Sequence, residues 1–510
     1  TGQACTILDI AGIEKIIRET GEGVRRAYEA GFDAIEIHGA HGYIIQDFLS
    51  PLSNKRNDAY GGDWQRRLKF AIDIVKSCRS TLPKDFPILF RLFGDEKVPD
   101  GLHIKDTIRI GKALQNAGID AFDITAGSLD ASEWLTPSMY MSMACNADSA
   151  AEFKRQLQIP VITIGRIKDL KVAEDVLSSG KADFINIGRA LLADPYMPIK
   201  VKEGRAKDVR RCISCLKCSE PGTRQEQTYC AVNPAVGKEK QFEFTKTASP
   251  KKVVVVGGGP AGMEAALVAA QRGHKVKLFE KEHELGGQLI IGSKPPAKED
   301  LKIFAAYLEK QIIDAGVNIR LNTAANPSVI LRGKPDAVIF ASGVIPFMPR
   351  IAGLDKVKTI SYKEALSDVK VGKKVAVIGG GLIGCEVALF LREKGKEIIL
   401  VEVLDELAKD AFYRMKKVVT EKVITSGIKV FISVKGESFE PGTIKIQTAD
   451  GTMETFPVDT VVFACGSKPN APLFEALQGK VKNIIKIGDC IKPRSVLEAM
   501  REGADAGLNI

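Results

Sequence analysis

Four cysteines carry the strongest chemical signal: Cys212, Cys215 and Cys218 in the run Cys-Ile-Ser-Cys-Leu-Lys-Cys, then Cys230 a short way downstream. Three thiolates crowded into one loop with a fourth nearby can each ligate one iron of a [4Fe-4S] cluster. A structural zinc site is the alternative, although its ligands more often come as two separated pairs.

A second constellation is His38-Gly39-Ala40-His41-Gly42-Tyr43, which holds two of only five histidines in the chain. Two imidazoles three residues apart can donate hydrogen bonds to one substrate oxygen, and the neighbouring phenol can donate a proton. A lone histidine is usually a packed or surface residue. The signal here is the convergence of three such side chains.

Phosphate chemistry is written twice in glycine. Gly165-Arg166 and Gly188-Arg189 each close a β-branched run, and together they offer backbone N–H groups and guanidinium to one phosphate, as an FMN site requires. Either pair alone is an ordinary tight turn. Gly257, Gly259 and Gly262, and again Gly379, Gly381 and Gly384, form two dinucleotide fingerprints, each placed between an apolar run and a helical segment. Glu280 and Glu402 stand at the end of the strand after each fingerprint, placed to accept both adenosine ribose hydroxyls. A carboxylate at 402 repels a 2′-phosphate, so NADH is expected over NADPH.

These groups need elements to position them. Five strands are expected before the cysteine loop, at 33–39, 88–93, 120–126, 161–165 and 183–188, alternating with helices as in a parallel sheet. Catalytic residues at strand C-termini, with two late Gly-Arg turns, predict an α/β TIM barrel of which five of eight strands are present, the first three being expected upstream of Thr1. Two nested Rossmann-like dinucleotide-binding domains follow. The nesting resembles the two-dinucleotide-binding flavoproteins, which implies FAD on the outer fold and NAD(P)H on the inserted one, so the expected divisions are 1–205 (barrel, FMN and substrate), 206–250 (cluster loop and linker), 251–368 (FAD), 369–465 (NAD(P)H) and 466–510 (return of the FAD domain).

Composition excludes other classes. A net charge of +10 is spread over 73 basic and 63 acidic residues with no basic block, which suits anionic nucleotides better than nucleic acid. Ten cysteines without a paired framework fit a reducing, cytoplasmic compartment. No apolar run is long enough to span a membrane. The remaining cysteines Cys5, Cys78, Cys145, Cys385 and Cys465 read as small core residues. The polar run 50–62 reads as a solvated connection.

The run HGAHGY followed by FLSPLSNKRNDAYGG, the Arg91 strand, the GRI and GRALLADP turns and the cysteine loop together resemble the Old Yellow Enzyme family. The resemblance is closest to its multidomain FMN/FAD/iron–sulfur branch, with 2,4-dienoyl-CoA, 2-enoate and bile-acid enone reductases. It covers the whole chain, and it implies that His38 and His41 hold the substrate oxygen over the flavin while Tyr43 donates the proton. It further implies Arg91 at the flavin N1/O2 edge, Gly165, Arg166, Gly188 and Arg189 on its phosphate, Gly287 and Gln288 in the FAD-binding pattern, and Asp489 on the FAD ribityl chain. The implied activity is reduction of an activated alkene, a small-molecule partner, with electrons passing from NADH through FAD and the cluster to FMN. Neither nucleic-acid nor membrane partners are expected, and the chain can form a homo-oligomer. An amine dehydrogenase is the alternative within the family, and it needs an aromatic cage for which only Trp64 and Trp134 are at hand. A third alternative is an electron-transfer subunit that lacks FMN.

Overall fold

The computed structural model describes residues 6–223, 226–367, 369–434 and 436–510; Cys5 lies outside them. The chain forms two compact units: the first runs to Gly188 except for Ser138–Tyr140, which join residues 189–510 in the second.

In the first unit β1 (Ile35–Gly39), β2 (Ile88–Phe93), β3 (Ala121–Thr125), β4 (Val161–Thr163) and β5 (Phe184–Ile185) form a parallel sheet in chain order. Side chains alternate across a strand, so the sheet has two faces of different character. Ile37, Phe90, Phe122 and Val161 bury one face against Ile13, Phe70, Leu114 and Phe153 of the covering helices. The other face is polar: His38 pairs in register with Arg91, and Arg91 with Asp123, so these residues share one side with Glu36 and Thr125. The long helix Trp64–Ser80 starts because the Asp63 carboxylate accepts the Arg66 N–H at 2.9 Å.

The run 50–62 is more than a solvated connection. Asn54 is buried and donates to the carbonyls of Phe48 and Tyr60, each at 2.7 Å, while Arg56 is paired with Asp58 and donates to the Leu8 carbonyl. Partners inside and outside the loop thus satisfy its polar side chains.

The second unit holds two parallel five-stranded sheets. One contains β6 (Lys252–Val256), β7 (Lys275–Phe279), β8 (Asn318–Arg320) and β9 (Ala337–Phe340). Next along the chain come β10 (Val344–Pro346), β11 (Lys358–Ser361), β12 (Lys374–Ile378), β13 (Glu397–Val401) and β14 (Lys429–Phe431), then an antiparallel meander β15 (Gly436–Glu440), β16 (Thr443–Gln447) and β17 (Met453–Pro457). β18 (Thr460–Phe463), β19 (Ser467–Pro469) and β20 (Asn483–Lys486) complete the count. The sheet orders are β20-β9-β6-β7-β8 and β11-β18-β12-β13-β14. Because β20 returns from the end of the chain to pair with β9, the second sheet is inserted within the first. The antiparallel pair β10–β19 carries the chain out and back.

The helix Pro260–Gln271 is alanine-rich and buried nearly all round, as a helix between a sheet and a second helix must be. The helix Val496–Leu508 crosses it through Gly503 and Gly507. A Cβ on Gly503 would lie 2.5 Å from the Ala261 carbonyl oxygen, which is backbone and cannot rotate away. Helix propensity alone makes Gly→Ala stabilising by about 1 kcal/mol. Here overpacking opposes it at about 1–3 kcal/mol, so Gly503→Ala is expected to lower the midpoint of thermal unfolding; an unchanged or raised midpoint would show that the helices can part without cost.

Candidate functional site

The turn after β1 brings His38, His41 and Tyr43 together. The ring centres of His38 and His41 are 5.0 Å apart, and those of His38 and Tyr43 are 5.2 Å apart. His41 and Gly42 both adopt left-handed backbone (φ 67° and 71°), which folds the chain back so that the two imidazoles meet. At Gly42 a Cβ would meet the Leu129 side chain at 2.5 Å. A buried bracket supports the turn: Gln46 accepts from the Gly42 N–H at 2.9 Å and donates to Glu96, which also accepts from Ser50 and from the Leu102 N–H.

Within this group the three side chains differ. Tyr43 is 58% exposed, so its phenol is open to a ligand. Nε2 of His41 lies 2.9 Å from the buried Thr125 hydroxyl, which fixes the ring. Nδ1 of His38 is buried with no hydrogen-bond partner. Burial and the nearby Arg91 cation hold the His38 imidazole below its usual range, keeping it neutral.

Arg91 is clamped along one edge. Nε and Nη2 donate to Asp123 Oδ2 at 3.1 and 2.6 Å, and Nη2 lies 3.1 Å from Glu36. Asn186 donates to the same Asp123 oxygen at 2.7 Å, while Asp123 Oδ1 is buried without a partner. Burial pushes the Glu36 carboxyl up to about 7, Arg91 acting against the shift and Asp123 with it. Orphaned buried polar atoms on the polar sheet face, at His38 and Asp123, fit a bound polar cofactor such as FMN.

Of the phosphate residues, Gly165 has φ 131°, and a Cβ there would meet Cys145 and Asn146 at 2.8 Å. Arg166 follows in left-handed backbone and donates to the Met141 carbonyl. Gly188 closes the first unit with open space around its Cα. Arg189 opens the second unit and lines a small cavity there with Leu192 and all four of Cys212, Cys215, Cys218 and Cys230.

Two non-glycine residues in left-handed backbone, Ser214 and Leu216, curl the cysteine loop around that cavity. Among the described residues no three His, Cys, Asp or Glu side chains converge enough to hold a single metal ion. Four thiols lining one cavity fit a cube with one thiolate per iron. Burial pushes the Cys230 thiol up to about 11 and raises Cys215 and Cys218, so deprotonation must be coupled to metal binding. The other described cysteines divide: Cys78, Cys385 and Cys490 are buried, Cys145 is partly so, and Cys465, expected in the core, is exposed.

The two fingerprints have nearly the same geometry. Gly257 and Gly379 have φ of 108° and 101°. A Cβ on Gly262 or Gly384 would lie 1.9 or 1.8 Å from the carbonyl oxygen of the first glycine, so only glycine lets the helix seat on the turn. Gly259 and Gly381 are the helix N-caps. Glu280 is buried and accepts the N–H groups of Gly258 and Glu282 at 2.7 and 2.9 Å; Glu402 accepts those of Gly380 and Leu404 at 2.5 and 2.8 Å. Each carboxylate oxygen keeps a second lone pair for a ribose hydroxyl. Gly287, with φ 53°, packs against Gly259, and Gln288 donates to Asp489 at 2.8 Å, so those predicted FAD residues lie together.

Sequence reasoning missed Glu36, Asp123, Thr125, Gln46 and Glu96; an acid at alternate strand positions beside Arg91 was the available signal. The tryptophans do not form an amine cage: Arg109 stacks on Trp64 at 3.5 Å and Lys97 on Trp134 at 4.6 Å.

Residues 2–208 match the NADH:flavin oxidoreductase / NADH oxidase family, and residues 251–503 the pyridine nucleotide-disulphide oxidoreductase family. The chain is 38% identical to an NADH oxidase of Thermoanaerobacter brockii, over 99% of this chain and 79% of that protein. It is 34% identical to a cinnamate reductase of Clostridium sporogenes, over 100% and 79%. A solved 2-naphthoyl-CoA reductase bound to 2-naphthoyl-CoA superposes with a TM-score of 0.94 at 31% identity, over 99% of this chain and 78% of that one.

Iron and sulfide analysis of anaerobically purified protein should return about four of each per chain. Cys215→Ala should lose most of that iron, whereas stoichiometric zinc in the native protein would refute the cluster.

Proposed function

Because this chain belongs to the NADH:flavin oxidoreductase / NADH oxidase family and continues into a pyridine nucleotide-disulphide oxidoreductase region, we propose that it is an NADH-dependent ene-reductase. It is an oxidoreductase of the NAD(P)H-dependent kind whose domains use FMN, FAD and NAD. The proposed substrate is a small activated alkene, a 2-enoate, an enoyl-CoA or a steroid enone; similarity to the cinnamate and naphthoyl-CoA reductases supports this class. No helix among the described residues is long and apolar enough to cross a membrane, and the proposed location is the cytoplasm.

The observation that carries the proposal is the His38–His41–Tyr43 triangle at the C-terminal end of β1. Two imidazoles there bind the carbonyl oxygen of the substrate and stabilise the negative charge that gathers on it. The exposed Tyr43 phenol delivers a proton to the α-carbon. Arg91, Gly165, Arg166 and Gly188 hold FMN; Gly257, Gly259, Gly262, Glu280, Gly287, Gln288 and Asp489 hold FAD; Gly379, Gly381, Gly384 and Glu402 hold NADH. When bound, these cofactors and a [4Fe-4S] cluster would supply the hydride and single-electron redox chemistry.

Tyr43→Phe is expected to lower alkene turnover by about 100-fold or more while NADH still reduces the flavins at the native rate. Equal turnover of the alkene would remove Tyr43 from the reaction. The nicotinamide choice is checked by kcat/KM for NADH and NADPH: the native protein should favour NADH, and Glu402→Gln should raise the relative value for NADPH. A native preference for NADPH, or no relative gain on substitution, refutes the role given to Glu402.

A further inference from the structure

The two dinucleotide folds repeat each other beyond their glycines. Six residues after Glu280 the Gly286 N–H donates to the Gly258 carbonyl at 2.8 Å; six residues after Glu402 the Ala408 N–H donates to the Gly380 carbonyl at 2.8 Å. Leu285 and Leu407 occupy the same place above the middle glycine of their turns, each nearest to where its Cβ would stand. The repeat makes the eighth residue after each acid equivalent: Gln288 in the first fold and Asp410 in the second.

Those two residues do opposite things. Gln288 is neutral and turns away to Asp489 and toward the Tyr362 hydroxyl. Asp410 is an acid, and its Oδ1 accepts the N–H of Leu382, the first residue of the twelve-residue helix Leu382–Glu393, at 2.8 Å. In the first fold the matching position is Pro260, which has no N–H to offer. The helix N-terminus beside a fingerprint is where a dinucleotide pyrophosphate binds, drawn by free N–H groups and the positive end of the helix dipole. In the second fold a carboxylate of this chain already takes one of those N–H groups.

We infer that Asp410 is a displaceable anionic cap on the pyrophosphate site of the second fold, and that it keeps this site exchangeable while the first fold retains its nucleotide. The inference rests on the second fingerprint being the NADH site. An incoming pyrophosphate must displace the Asp410 carboxylate from Leu382 or bind beside it, and either lowers affinity. The chemistry asks for this difference, because oxidised nicotinamide must leave at every turnover whereas FAD must stay. Asp410 acts through the helix terminus and is a positioning residue.

The test uses the full chain with its flavins bound and reads calorimetric affinity for ADP-ribose, which carries the pyrophosphate but no hydride, and for adenosine, which lacks it. Asp410→Asn keeps an acceptor oxygen and removes the charge; Asp410→Ser does the same with a shorter side chain. Both are expected to bind ADP-ribose about tenfold more tightly, mostly through slower dissociation, with adenosine unchanged. Native affinity for ADP-ribose in both variants overturns the inference, as does an equal tightening for adenosine, which would reveal loop packing in place of charge. Failure of the native chain to bind ADP-ribose at all would instead refute the second fingerprint as the NADH site.

Discussion

A buried carboxylate that accepts the N–H of the middle glycine in a strand-to-helix turn is the interaction on which the second unit depends. Glu280 does this for Gly258 and Glu402 for Gly380. The bond ties the end of one strand to the turn after its neighbour, and the missing Cβ at Gly262 and Gly384 lets the helix seat directly on that turn. Under the proposed function, ribose recognition and pyrophosphate placement share one rigid joint. Losing the acid would cost the geometry of the turn, since it would leave a buried N–H unsatisfied.

In the first unit the comparable constraint is charge on a half-covered sheet. Helices bury one face, so alternation alone pushes Glu36, His38, Arg91, Asp123 and Thr125 onto the other. Asp123 is fully buried and tolerates its charge only because Arg91 and Asn186 both donate to it. That network occupies the Nε/Nη2 edge of Arg91, and no hydrogen bond engages Nη1 among the described residues. Burial first, and then the neighbouring Arg91 cation, keep His38 neutral, and a neutral imidazole can still donate one hydrogen bond.

The strands were readable because their apolar runs are short and bounded by glycine or charge, and each boundary lies within two residues of its expected position except the end of the fifth strand; the fourth and fifth both end early. They stop at Thr163 and Ile185 because the chain there turns for Gly165 and Asn186, a local geometry that hydrophobicity does not encode. The glycine turns and the cysteine loop were readable because their spacing is itself the chemistry. Partners supplied from distant positions were not: nothing near His41 in the sequence names Thr125, and nothing near Leu382 names Asp410. Cys465 was misplaced because it follows a fully buried strand, yet it falls in the turn where the chain leaves the sheet.

The cysteine loop shows why the two halves of the chain need a segment of a third kind between them in sequence. Strands and helices spend their backbone polar groups on each other, whereas Ser214 and Leu216 in left-handed backbone keep Cys212, Cys215 and Cys218 from lining up on a regular face. The result is a small cavity lined by four thiols, Cys212 and Cys230 buried and Cys215 and Cys218 partly so, with Arg189 also in its lining. Buried thiols resist ionisation, and Arg189 opposes that resistance at Cys218. A neighbouring cation favours a cluster whose thiolates give it net negative charge. The residue that sequence pattern assigned to a phosphate, the first of the helix Arg189–Ala193, thus also has an electrostatic part to play at the cysteines.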